Sequence, residues 1–67
     1  MSETERLGLR IRILREQKGW LQRDLAKEAD LPVRTIGRIE RGEVDVRLST
    51  LAKIAGALGI SIEQLFR

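Results

Sequence analysis

The chain has 67 residues, 13 of them Lys or Arg and 10 Asp or Glu, for a formal net charge of +3; that is room for one small domain, whose core is marginal unless it is well packed or shared with a second copy. Cysteine and histidine are both absent, which removes disulfides, thiolate metal sites and the usual general base, so neither catalysis nor a metal or cofactor is expected. The surplus of positive charge favours an anionic partner, and nucleic acid ranks above a membrane because no apolar run approaches the ~20 residues needed to span one.

The opening MSETERLG is polar and mixed in charge, without the pattern of a signal peptide, so a cytoplasmic location is expected. Punctuation then divides residues 1–67 into five predicted helices in one domain, with no strand signal. Ser2 and Glu5 have capping-box spacing, and Leu7, Ile11 and Leu14 recur on one face until Gly19, which predicts a first helix over about 3–18. A second, over about 21–29, buries Leu25, Ala26 and Ala29 and stops in a turn at Asp30 and Leu31. The third begins near Pro32, whose missing amide hydrogen would be unpartnered in a first helical turn anyway, and Gly42 ends it. After the loop GEVDVR, Ser49 is placed to cap a fourth helix that buries Leu51, Ile54, Ala55 and Leu58 and stops at Gly59. Ser61 and Gln64 form another capping box, with Ile60 and Leu65 as a hydrophobic staple, and predict a fifth helix of about two turns.

The second and third of these helices, joined by a tight turn, carry the functional signal. Arg34, Arg38 and Arg41 recur at i, i+4, i+7 and so share one face, opposite Ile36 and Ile39. A short helix that is apolar inside and studded with arginine outside suits the major groove of DNA. Taken singly, a surface arginine is more often solvated or in an i, i+4 ion pair; within Val33–Gly42, however, three arginines stand against Glu40 alone, and Glu40 lies on the inward side.

The run from Leu7 to Phe66 resembles the lambda-repressor-like (Cro/repressor, Xre-type) helix-turn-helix domain. The resemblance rests on Gly19-x-x-Gln22, Leu25-Ala26, Ile36-x-x-Ile39-Glu40-x-Gly42, and Thr50-Leu51-x-x-Ile54-Ala55-x-Ala57-Leu58-Gly59, in order and at the family's spacing. It implies an all-α, compact five-helix domain, with the helix-turn-helix at about 21–41, that binds operator DNA and regulates transcription, often as a homodimer on a palindromic site. No small-molecule ligand is expected.

Carried over residue by residue, the resemblance makes 33–41 the recognition helix. Val33, Arg34, Gly37 and Arg38 would face base edges. Arg34 and Arg38 would donate paired hydrogen bonds to guanine, each worth about 1–3 kcal/mol of discrimination. Val33 would either touch a thymine methyl or simply start the helix, and Gly37 would allow close approach of DNA or of the neighbouring helix. Gln22, Arg10, Arg41, Arg47 and the Thr50 hydroxyl would reach phosphates, which set register and affinity rather than sequence. Glu40 would pair with Arg15; shielded from water, that pair would cost about 3–5 kcal/mol to break by removing one partner. Trp20, which could be mistaken for a base-stacking platform, would pack on the core.

Five positions, in four departures, differ from the family pattern. Leu21 stands where Ser or Thr caps the second helix, Asp30 replaces the Gly of the turn, Pro32 replaces a capping Ser, and Glu43 with Asp45 puts negative charge in a loop that often carries basic residues. The last pair should weaken attraction to phosphates. Leu9 and Ile13 place an apolar pair on the side of the first helix away from Leu7, Ile11 and Leu14. Ile62 and Phe66 of the fifth helix are candidate partners for that pair, within one chain or across a dimer, and a homodimer through the C-terminal helix, with the loop residues Val44 and Val46, is expected. An alternative is that the same fold serves as an antitoxin or transcription-bridging adaptor, in which these apolar residues would matter more than the arginines; salt-dependent DNA binding separates the two. Small size points by analogy to restriction-modification controllers and phage or plasmid repressors.

Overall fold

In the computed structural model, which describes Met1–Arg67, four α-helices succeed one another: α1 (Glu3–Gln17), α2 (Gln22–Ala29), α3 (Val33–Glu40) and α4 (Leu48–Leu58). A single 3-10 turn, Glu63–Phe66, closes the chain, and there is no strand.

One device ends every α-helix. Within two residues of its last helical position comes a left-handed residue (Gly19, φ 73; Asp30, φ 55; Gly42, φ 72; Gly59, φ 74). The next amide then turns back to a carbonyl five residues earlier: Trp20 N–H donates to Arg15 O at 3.2 Å, Leu31 to Ala26 at 2.9 Å, Glu43 to Arg38 at 3.1 Å and Ile60 to Ala55 at 3.0 Å. These bonds satisfy carbonyls that the helix itself leaves free and drive an apolar residue back toward the core three times in four. Only at Asp30 does a side chain bear the left-handed conformation.

The helix starts are less uniform. Ser2 forms the predicted capping box: Glu5 N–H donates to Ser2 Oγ at 3.2 Å and Ser2 N–H to Glu5 Oε1 at 3.0 Å, which holds the Glu5 carboxyl below its ordinary range. Leu21 carries no acceptor, so only the reverse half forms at α2, from Leu21 N–H to Asp24 Oδ2 at 2.7 Å. Pro32 sits in the cap position before α3 rather than inside it. The expectation that Ser49 caps α4 is corrected: the helix already starts at Leu48, Arg47 is the cap residue, and no side chain caps it.

The fifth helix is also corrected. Its capping box forms, with Gln64 N–H donating to Ser61 Oγ at 3.3 Å and Ser61 N–H to Gln64 Oε1 at 2.9 Å. The backbone, however, closes only i, i+3 bonds, Gln64 to Ser61 O and Leu65 to Ile62 O. Four residues are too few to repay α-helix nucleation, and the turn serves to insert Leu65.

Each of the five elements gives the core one fully buried large side chain: Ile11, Leu25, Ile36, Ile54 and Leu65. Each such burial contributes roughly 1.5–3 kcal/mol. Leu14, Trp20, Leu31, Ile60 and Ile62 pack around them, half-buried. Trp20 is thus a core-edge residue, and Lys18 Nζ lies 5.1 Å from its ring centroid.

Two glycines bring α1 and α3 together. A side chain at Gly8 would run into the carbonyls of Ile39 and Glu40, and one at Gly42 would meet the Glu5 backbone at 2.8 Å. The amino-terminal half of α1 therefore lies directly against the carboxyl-terminal end of α3.

Candidate nucleic-acid interface

Alternation of buried and exposed residues orients α3. Ile36 and Ile39 are buried, while Val33, Arg34 and Arg38 are exposed, so the predicted arginine row faces solvent from a helix fixed in the core by its other side. Arg34 makes no ion pair.

Behind this row stands a buried ionic network. Arg15 Nε donates to Glu40 Oε2 at 2.7 Å, Arg15 Nη2 to Glu40 Oε1 at 3.0 Å, and Arg15 Nη1 to the carbonyl of Trp20 at 2.7 Å. The two side chains are only 9% and 3% exposed. Hydrogen bonding to Glu40 holds the Arg15 guanidinium still more firmly protonated than usual, against the opposing effect of burial. Every buried side-chain polar atom has a partner, the condition under which such a pair orders a core instead of weakening it. Leu7, Ile11 and Arg15 lie at i, i+4, i+8 on one stripe of α1, so the pair spans from that helix to the end of α3.

Gln22, at the first turn of α2, joins this network: its Nε2 donates to Glu40 Oε1 at 3.1 Å. Its Oε1 lies 3.5 Å from where a Cβ on Gly37 would stand, and Arg41 Nη1 lies 3.1 Å from the same point. Gly37 is accordingly buried, under Gln22 and Arg41, rather than bare on the outer face. Its lack of a side chain makes room for those two, the neighbouring-helix alternative among the two expectations for it. The Gln22–Glu40 bond was not anticipated from the sequence, although both residues stood in the family pattern.

At the end of α3, Arg41 Nε donates to Glu43 Oε2 at 2.6 Å and Arg41 Nη2 to Glu43 Oε1 at 3.5 Å; Arg38 Nε is 3.9 Å from Glu43 Oε1. These contacts hold the Glu43 carboxyl below its ordinary range and the Arg41 guanidinium above its own. Arg47 is exposed and Thr50 half-buried at the start of α4.

The remaining sequence-derived residues lie apart from this group. Arg10 is on the far side of α1 from α3, about 160° around the helix from Gly8, and its Nε and Nη2 donate to the carbonyl of Gln64 at 3.3 and 3.4 Å. Val44, Val46 and Ile62 are half-buried against the core, and of the four residues expected at a dimer contact only Phe66 is exposed. Leu9 and Ile13 are exposed as expected and line a shallow groove with Met1, Arg6, Arg10 and Arg67.

A helix-turn-helix family model matches residues 11–65. A hypothetical transcription factor of Neisseria meningitidis serogroup B is 36% identical over 59 residues, 88% of this chain and 56% of that protein. The uncharacterized HTH-type transcriptional regulator YazB of Bacillus subtilis is 36% identical over 63 residues, 94% of this chain and 91% of its own length. The chain spans between 41% and 56% of the length of the Neisseria protein and two further relatives. The crystal structure of the restriction-modification controller protein C.AhdI from Aeromonas hydrophila superposes with a TM-score of 0.95 at 36% identity, covering 98% of this chain and all of that one.

Proposed function

The chain belongs to the lambda-repressor-like (Xre-type) helix-turn-helix family of transcription regulators, and from that premise we propose that it reads double-stranded DNA by placing α3 in the major groove, as one half of a homodimer on a palindromic operator. Arg34 and Arg38 specify the sequence through guanine edges, Val33 contributes apolar contact, and Gln22, Arg41, Arg47 and Thr50 hold the phosphates on either side. Gly37 acts indirectly, by giving Gln22 and Arg41 room to lie across α3. A repressor in the cytoplasm, bound to the nucleoid, is the setting this chemistry fits.

The observation that carries this reading is the unpaired, exposed Arg34 one helical turn from Arg38 on a helix whose opposite side is locked into the core. Rigid presentation matters, because a paired donor set discriminates bases only where its backbone is already fixed.

Replacing both Arg34 and Arg38 with alanine tests it. Neither side chain is in the core, so the melt should hardly move. Discrimination between the best duplex selected from a random pool and an unrelated one should fall by about 1–3 kcal/mol for each guanine that no longer meets a guanidinium. Undiminished discrimination by the folded double variant would remove α3 as the reading element.

A further inference from the structure

Glu43 is held in place from both sides. Gly42 turns the chain back at the end of α3, Glu43 N–H is bonded to Arg38 O at 3.1 Å, and Gly42 itself is backed by the Glu5 backbone. From this fixed position one carboxylate reaches two arginines of the outward row, Arg41 at 2.6 Å and Arg38 at 3.9 Å. All three side chains remain about half exposed. Of the arginines on this face, Arg34 is free and the other two share a single counter-charge.

We propose that Glu43 is an internal competitor for DNA: in the free protein its carboxylate accepts from Arg41 as a backbone phosphate would and sets its charge beside Arg38, and so restrains binding to duplexes of any sequence. A carboxylate and a phosphate present the same chemistry to a guanidinium, two acceptor oxygens at matching spacing. A duplex must displace Glu43 from Arg41 or tolerate its negative charge beside the phosphates. Either way the electrostatic attraction that supplies non-specific binding is reduced. Arg34, which Glu43 does not reach, keeps its full donor set. The pairing is local and exposed, so the restraint is modest and easily reversed.

This inference rests on the DNA-binding reading, and the test separates the two. The full chain and Glu43→Gln are titrated with a short random-sequence duplex across a range of salt, with circular dichroism confirming the fold. Glu43→Gln should bind about 3- to 10-fold more tightly at low salt, with a log-log salt slope steeper by about one. In an Arg38→Gln, Arg41→Gln background the same replacement should gain distinctly less, because the competitor then has no targets. Unchanged affinity and slope in Glu43→Gln would overturn the proposal while leaving the DNA reading intact. A gain equally large in the background lacking both arginines would overturn it too, as a general effect of charge. A wild-type protein that binds no duplex at any salt would end both.

Discussion

Two glycines in helices have opposite reasons to be there. At Gly8 a methyl group would strike backbone carbonyls of α3, which have no rotamer to escape into, whereas at Gly56 it would meet nothing within 4 Å. Gly8→Ala should therefore destabilise by about 3 kcal/mol through overpacking. Gly56→Ala should stabilise by about 0.5–1 kcal/mol through helix propensity and a less flexible unfolded chain. Thermal melts check both, since 1 kcal/mol moves a midpoint by roughly 4–8 °C in a domain of this size; a wild-type midpoint for Gly8→Ala would contradict the close approach of α1 and α3. The sequence showed an isolated glycine in each helix but not which one touches a neighbour, because helical periodicity reports the face of a residue and not its distance from another element. The same limit applies to polar partners. The Arg15–Glu40 pair came from the family resemblance, but Gln22 leaning on Glu40 and Glu43 reaching Arg41 depend on side-chain reach across turns. Negative charge in the loop after the third helix was legible at Glu43; its specific partners were not.

Helix boundaries were more legible at their ends than at their starts. Three stops were written as glycine, and at the fourth, Asp30, the chain keeps the left-handed conformation at a cost that only glycine escapes. Asp30→Gly should raise the melting midpoint by the equivalent of about 0.5–1 kcal/mol, while Asp30→Ala, a residue that enters the left-handed region less readily than aspartate, should lower it. A midpoint unchanged in both would mean that this turn carries no strain. Starts were harder to read because a cap residue acts one bond at a time and its loss is tolerated: α2 and α4 begin with no side-chain cap at all. At the C-terminal element the local signal was correct and still insufficient. The Ser61–Gln64 box forms, but it opens only one 3-10 turn, since capping marks where a helix begins and says nothing about how many residues remain to propagate it.

The whole molecule measures 26 × 23 × 22 Å over its Cα atoms, and side chains add about 3 Å on each side. Half-sites of a palindrome lie one helical turn apart, about 34 Å, so two copies of this size can touch while each meets its own half-site. Phe66, Leu9 and Ile13 are among the exposed apolar side chains that could serve such a contact. The expectation is a homodimer, two copies on one palindromic duplex. Sedimentation with and without that duplex measures it, and one chain per duplex at saturation would rule the pairing out.

Because the first turn of α1 is wedged beneath Gly42, α3 is propped from the amino-terminal end of the polypeptide. A proteolytic nick or a bulky fusion within that leading turn would remove the strut, and the damage should surface in the grip on DNA although the turn holds none of the side chains proposed to read it.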